Sequence, residues 1–441
     1  MTTYAGPLTQ AEQRQRHLRR HALIAANLGW LLDGFENYTV VLVATPVALQ
    51  LVGPRSSPLY AAGILAVTLA SWAVGGLVWG VVADYIGRRR TLMFSILWYS
   101  VFAGLSALSP NYLVFILLRF ASGLGLGAEW ATGNTLLAEH LNPRTRGRGL
   151  GFLAGSFGVG FLIATGIWLV INTGPGAWRW MFVIGILPAV VTWYIRTKVE
   201  EPETWVRAKT DRELARSRAQ RGVKLEERDV ALTTLTFLRP FQDPRLRGLT
   251  IKLLLMALSC LVAWWTISTR VLALAAATGA HAHHPHIAQY ISMVALYYNI
   301  GGILGYYTMG FAADAWGRKP TIFTYFVASL VTTYVLFLGV HTTGLLMLMA
   351  GVNGFFSLGL MGWMGIYPTE CYPTYIRATA ITTIFNLTRF IVAAMIMLSG
   401  YLIVAFGSVR AMAVALASIY IIGIALALVA GPETKGRPLP E

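Results

Sequence analysis

Charge is scarce in this chain of 441 residues: Asp, Glu, Lys and Arg make up 12% of it, about half the share of an average soluble domain. Scarcity on that scale argues against a surface bathed in water on all sides. Acidic residues are rarer still, 19 against 35 Lys and Arg. Cysteine is almost missing: Cys260 and Cys371 fall on different predicted helices, so no disulfide is expected and cysteine bears no redox message. The chain has no glycine-rich phosphate loop, no nucleophile elbow and no ATPase domain, which argues against enzymology and primary pumping. No cofactor and no metal are implied.

What fills the chain instead is apolar sequence, 56% of it, in long runs. Twelve runs of about 20 residues are each long enough to cross a hydrocarbon core of about 30 Å. They cover residues 22–47, 59–83, 91–109, 111–139, 147–171 and 178–198, then 248–278, 287–313, 321–340, 344–371, 377–405 and 408–431. The expected fold class is an all-α membrane protein of twelve transmembrane helices. Residues 1–21 are polar and basic without a small-residue cleavage site, so a tail is expected there rather than a signal peptide.

A net charge of +16 would point to nucleic acid in a soluble protein, but its placement gives another cause. The loops of one face hold only Arg55, Arg179 and Arg410, and no acid at all. Arg119, Lys252, Arg270 and Arg389 lie within spans, and every other Lys and Arg falls on the face of the two termini. That asymmetry is the positive-inside pattern, which predicts a cell inner (plasma) membrane protein with both termini cytoplasmic and no nucleic-acid partner.

The chain also repeats itself. Gly80-x-x-x-Asp84-x-x-Gly87-Arg88-Arg89 follows the second run, and Gly310-x-x-x-Asp314-x-x-Gly317-Arg318-Lys319 follows the eighth. Glu139, Pro143 and Arg146 return as Glu370, Pro373 and Arg377, and Pro202-Glu203-Thr204 returns as Pro432-Glu433-Thr434. Three motifs shifted by 230 or 231 residues predict two six-helix pseudo-repeats, 1–198 and 248–441, joined by a charged cytoplasmic linker, 199–247. The solute site is expected between the repeats near mid-membrane. Gly147, Gly151 and Gly155, like Gly301 and Gly305, are spaced for close helix packing, either plain or at a moving interface.

These motifs bear a family resemblance. The repeated G-x-x-x-D-x-x-G-R-R/K resembles the loop signature of the major facilitator superfamily, and Pro432-Glu433-Thr434-Lys435-Gly436 resembles the ending of its sugar and metabolite porters. Trp30-x-x-Asp33-Gly34-Phe35-Glu36, Gly123-Leu124-Gly125-Leu126-Gly127-Ala128-Glu129-Trp130 and Trp178-Arg179-Trp180-Met181-Phe182 are similar to the sialate and lactate proton symporters. Aromatic-acid and metabolite proton symporters are neighbours of that branch. Glu36 stands where those families often have Asp, which keeps the carboxylate. The resemblance implies the major facilitator fold and alternating access. It also implies a coupling role for Arg119, whose plainer alternative is a structural pairing, and gating by Asp84, Arg88, Glu139, Arg146, Asp314, Arg318, Glu370 and Arg377 at cytoplasmic helix ends.

An ionisable group inside the bilayer costs at least about 2.5 kcal/mol on insertion scales, so each needs a reason. The set is Asp33, Glu36 and Glu129 against Arg119, Arg270 and Arg389. At about 1.5 Å per residue, Asp33 lies roughly 16 Å deep, with Glu36 and Asn37 on its face. Two carboxylates on one face repel, which poises one of them to exchange a proton; the plainer alternative is an acid pair satisfied by hydroxyls or a helix end. Arg389 lies roughly 18 Å into its span, with Asn386 one turn earlier. A buried guanidinium offers a planar fork to a carboxylate, so Arg389 is expected either to anchor a substrate anion or to lock helices. Glu129 is a proton-relay or gate candidate. Asn37, Tyr297, Tyr298 and Asn299 are expected to line the cavity with Arg389 and Asn386. Arg270 lies near the outer end of its span and is free to snorkel. His281, His283, His284 and His286 are read as a solvated loop rather than a metal site, because no acid or cysteine accompanies them.

The combined expectation is a functional monomer in the lipid bilayer that moves a small organic anion with a proton, the anion being a monocarboxylate, a sialate-like acid or an aromatic acid. A neutral sugar or polyol porter is the nearest rival, favoured by the Pro-Glu-Thr-Lys-Gly ending and disfavoured by three intramembrane arginines. A proton-antiport drug or metabolite exporter needs a large promiscuous cavity, and a solute sensor needs a larger cytoplasmic extension than the linker supplies.

Overall fold

The computed structural model describes residues 10–172, 174–223, 227–233 and 237–440, so the first nine residues of the expected tail lie outside the described residues. Apolar sequence this continuous has one economical solution in a bilayer: a helix closes its own backbone hydrogen bonds where water is absent. Ten helical segments are long and apolar enough to cross: Gln13–Val52, Leu59–Ile86, Tyr112–His140, Arg146–Ile171, Trp178–Lys198, Pro244–His281, Arg318–Gly339, Thr343–Cys371, Arg377–Leu398 and Val409–Ala427. Two further helices, Arg88–Ser106 and Ile287–Trp316, fill the third and eighth places. Their apolar character is diluted, by Arg88, Arg89 and Arg90 in the one and by Gln289, Tyr297, Tyr298 and Asn299 in the other. Each of the twelve apolar runs is thus helical among the described residues. Between the sixth and seventh spans the chain forms short helices, Glu203–Gln220, Glu227–Thr233 and Arg239–Gln242.

The motif glycines mark sharp corners. Gly87 and Gly317 end the second and eighth spans with φ of 110° and 112°, a region closed to most L side chains. The next residue of each corner begins the following helix, so the two corners are copies of one turn.

Several spans break at mid-depth. The fourth divides into Tyr112–Leu126 and Glu129–His140, and the tenth into Thr343–Ser357, a 3-10 turn Gly359–Gly362, and Trp363–Cys371. Glu129 is therefore the first residue of a half-helix. Broken helices at membrane depth are tolerated where they line a cavity, and substrate sites gather there.

The two repeats meet along two helix pairs, the second span with the eleventh and the fifth with the eighth. Glycine permits both approaches. A Cβ on Gly80 would lie 2.0 Å from Thr382 Oγ1, and one on Gly151 would lie 2.8 Å from the Cα of Gly310. Gly147 and Gly151 thus sit at the contact between repeats. Gly301 and Gly305 instead pack on Gly351 and Phe355 of the tenth span, within one repeat.

Candidate transport site and gate

Between the repeats lies a closed chamber of about 30 Å³. Trp30, Trp72, Trp130 and Phe157 line it from the first repeat, and Trp264, Trp265, Tyr306 and Phe385 from the second, with Asn37 and Arg389 as its other polar members. Trp30 stacks on Phe157 with centroids 4.6 Å apart, and Trp130 stacks on Phe385 at 5.1 Å across the interface. The guanidinium of Arg389 lies 3.5 Å from the Trp72 ring centroid and 4.0 Å from that of Phe385. Its Nη1 donates to Asn386 Oδ1 at 2.9 Å. Among the described residues no carboxylate stands within ion-pair distance of it. The indole N–H groups of Trp30, Trp72 and Trp130 are buried and find no acceptor among the described residues, while Trp264 faces the Tyr298 hydroxyl. A buried donor without an acceptor costs about 1–3 kcal/mol, so three of them around one chamber call for a ligand rich in acceptors.

The intramembrane acids separate into two kinds. Glu36 Oε1 accepts from Arg119 Nη1 at 2.6 Å, both side chains being fully buried. Arg119 Nε also donates to Ser106 Oγ at 3.2 Å, and its guanidinium faces the Phe182 ring at 4.6 Å. Asp33 and Glu129 are equally buried, yet none of their four carboxylate oxygens has a hydrogen-bond partner among the described residues. Asp33 lies within electrostatic reach of Glu129, Arg389 and Glu36. The expected Asp33/Glu36 pair is thus split: Glu36 turns into the first repeat towards Arg119, and Glu129 takes its place beside Asp33.

Three expected lining residues face elsewhere. Tyr297 is exposed in an apolar groove with Ile300, Leu304 and Phe355, on the lipid-facing side of its helix. Tyr298, the next residue and so about 100° around the helix, points into the second repeat, its hydroxyl 3.1 Å from Ser357 Oγ. Asn299 donates to Ala295 O of its own helix. Arg270 does not line the chamber but a second cleft, with Met395 and Met412, that shares Trp265 with it. Asn37 is a chamber residue, as expected; Asn386 reaches it through Arg389.

On the face of the termini, the gating candidates are assembled across the repeats. Glu139 Oε1 accepts from Arg377 Nη1 at 2.6 Å and from Arg88 Nη2 at 3.3 Å. Glu370 accepts from Arg146 at 3.3 Å and from Arg318 at 2.7 Å. Each glutamate therefore joins an arginine of its own repeat to one of the other repeat, and the sequence neighbours Glu139 with Arg146 and Glu370 with Arg377 are not paired. Asp84 binds Arg88 at 3.0 Å and receives Thr379 N at 3.0 Å and Thr379 Oγ1 at 2.5 Å from the opposite repeat. Asp314 binds Arg318 at 3.1 Å and receives Gly147 N and Arg148 N at 3.0 and 2.9 Å. The loop signatures are thus paired acceptors for the ends of the facing helices.

Some of these contacts have no signal in the motifs. The linker helix clasps both repeats: Arg212 donates to the carbonyls of Asp84 at 2.8 Å and Tyr375 at 3.1 Å, and Trp205 Nε1 donates to Asp84 O. Glu433 caps the ninth span by accepting Arg318 N at 2.9 Å and Lys319 N at 3.0 Å. Burial alone would raise its carboxyl, but the N–H groups of Arg318, Lys319 and Lys435 outweigh that and hold it below the usual carboxylate range. The repeat spacing pairs Glu433 with Glu203. The cap on the third span, however, is Glu201, which accepts Arg88 N at 2.9 Å and Arg90 N at 3.3 Å, because Glu203 begins the linker helix and faces water. The chamber tryptophans had a signal that residue-type reading missed. Membrane tryptophans gather at interfaces, and these five lie well inside their spans.

A sequence profile described as Major Facilitator Superfamily matches residues 26–280. The chain is 30% identical to the cis,cis-muconate transport protein of Acinetobacter baylyi, over 86% of each chain. It is 26% identical to the sialic acid transporter NanX of Escherichia coli, over 84% of each. Its fold is similar to that of the proton:xylose symporter XylE bound to 6-bromo-6-deoxy-D-glucose, with a TM-score of 0.76, 17% identity and coverage of 96% of this chain and 98% of that one. With a chamber between two repeats, this multi-pass membrane protein belongs to the major facilitator superfamily and is a transporter of organic-acid and metabolite type.

Proposed function

We propose that the protein moves a small organic anion together with protons, by alternating access of the central chamber to the two sides of the membrane. The observation that supports this most is the chamber itself: one guanidinium without an ion-paired carboxylate, ringed by three indole donors that lack acceptors. A carboxylate with a second acceptor group on a flat body answers all of these at once, and the aromatic walls suit such a body once the chamber, about 30 Å³ here, has opened. A sugar or polyol offers donors as well as acceptors, and the chamber presents few acceptors to receive them. The muconate relative agrees with an unsaturated acid; the xylose symporter's likeness concerns the fold.

In the cycle, the face of the termini is cytoplasmic, following its excess of Lys and Arg. With the two glutamate-centred networks closed on that face, anion and protons enter from the other side. The anion docks on Arg389 while Asp33, no longer needed to balance the guanidinium, holds a proton. The repeats then rock about the glycine contacts, the networks part, and the cargo leaves on the cytoplasmic side.

The test is solute-driven acidification of proteoliposomes loaded with a pH dye. Lactate, benzoate, cis,cis-muconate, sialate and glucose are offered to the wild type and to Arg389→Ala. Acidification by at least one acid, lost in Arg389→Ala, is the expected result. A response to glucose with a silent acid panel would sink this reading in favour of a sugar porter.

A further inference from the structure

Beside the chamber lies one more buried acid than anion balance requires. Glu36 is neutralised by Arg119 at 2.6 Å. Arg389 then remains as the cation within electrostatic reach of Asp33, which has Glu129 as a further neighbour; both carboxyl groups are buried, with no oxygen hydrogen-bonded among the described residues. A carboxylate buried without a pair or a donor is among the most expensive arrangements in a protein, and it is relieved by taking up a proton. One of the two acids has Arg389 nearby as a possible counter-ion. The other has none.

The titratable groups facing this pair are few. Glu36 follows on the same helix, Arg389 comes from the eleventh span, and Tyr99 comes from the third span, within electrostatic reach of all three acids. The second, fifth and tenth spans bring Trp72, Phe157 and Met361 to the adjoining chamber, none of them ionisable. Glu129 is pressed against the first span, where a Cβ on Gly29 would lie 2.4 Å from its Oε2, so no water fits on that side. Its backbone position is different in kind. Glu129 is the first residue of the twelve-residue half-helix Glu129–His140, whose N-terminal end favours an anion once water reaches it. Dry, the group prefers a proton; wetted from the side of the termini, it prefers to release one.

Resting on the proton-symport reading above, we infer that the loaded carrier holds two protons, one on Asp33 and one on Glu129, so that two protons accompany each anion. Both are taken from the outer solution and both are released to the cytoplasm. Asp33 passes its claim on Arg389 to the substrate carboxylate and recovers it after release; Glu129 binds and releases its proton through wetting alone. A monoanion then moves one positive charge inward per cycle, and a dianion such as muconate moves none.

The number of protons is read at zero net flux. Proteoliposomes with the potential clamped at zero are given a tenfold inward-to-outward gradient of labelled cis,cis-muconate, or of the panel acid with the highest uptake if muconate is not carried. Two protons per anion balance that gradient with about half a pH unit, and one proton with about one unit. Wild type is expected near half a unit, Glu129→Gln near one unit, and Glu129→Asp, which keeps a carboxyl, near the wild-type value. A wild-type balance at one unit would overturn the inference and leave proton symport standing. No pH difference able to halt flux would sink proton symport itself. Glu129→Gln that still balances near half a unit would remove the second proton from Glu129, as would a Glu129→Asp protein active at one unit.

Discussion

At the scale of single residues, the five buried acids and bases near the chamber, Asp33, Glu36, Glu129, Arg119 and Arg389, differ in what their removal exposes. Glu36 is the partner of a buried guanidinium at 2.6 Å. Its replacement by Gln leaves Arg119 charged and unpaired in the low-dielectric interior, a change that typically costs about 3–5 kcal/mol. Asp33 has no hydrogen bond to lose, and Asn occupies the same volume. Thermal unfolding in detergent is expected to show Glu36→Gln strongly destabilised and Asp33→Asn within about 1 kcal/mol of wild type, since large losses come from broken buried partners. The same Asp33→Asn protein is expected to lose proton-coupled accumulation. Equal destabilisation of the two variants would contradict the division into a structural pair and a proton-bearing acid.

At the scale of elements, helix contacts at the interface rest on missing side chains. The fifth and eighth spans touch through Gly147, Gly151 and Gly310, where a Cβ on Gly310 would lie 2.6 Å from the carbonyl of Gly147. A leucine at 310 would force these helices apart on the side of the termini while leaving each repeat's own packing intact. Each 1.4 kcal/mol of such strain shifts the closed population about tenfold. Gly310→Leu is expected to lower uptake by at least about tenfold. It should also raise thiol labelling of Met361→Cys from the cytoplasmic side, in a background without Cys260 and Cys371. Unchanged labelling would mean that the closure does not depend on this contact. The glycine spacing was legible in sequence; that Gly147 and Gly151 meet the other repeat while Gly301 and Gly305 do not was not, because a small-residue stripe says how near a neighbour comes and nothing of which neighbour.

At the scale of the molecule, closure rests on two three-membered networks, Arg88–Glu139–Arg377 and Arg146–Glu370–Arg318. Glu139→Gln leaves Arg88 and Arg377 facing one another without an acid between them. Removing Arg377 as well relieves that repulsion, so the two substitutions are expected to be non-additive by about 0.5–3 kcal/mol in a double-mutant cycle. Cytoplasmic labelling of Met361→Cys reports the closed fraction in each variant. Simple additivity would show that the bridge between repeats does not stabilise the closed state.

The amino-acid sequence by itself determined the twelve helices, their two-fold repetition and the residue types of the gate. These follow from local quantities: hydropathy over a window of a span's length, a charge asymmetry between loops, and glycine where φ is positive. It also singled out Arg389, Asp33 and Glu129, since an ionisable group inside an apolar run stands out without any knowledge of its neighbours. Only the tertiary structure decided the partners. Glu36 left Asp33 for Arg119, Glu139 and Glu370 reached across the repeats, and Tyr297 and Asn299 turned away from the chamber that five tryptophans line instead. The physical reason is that pairing depends on helix rotation and on approach between segments more than 200 residues apart in the chain, and no window along the sequence contains either.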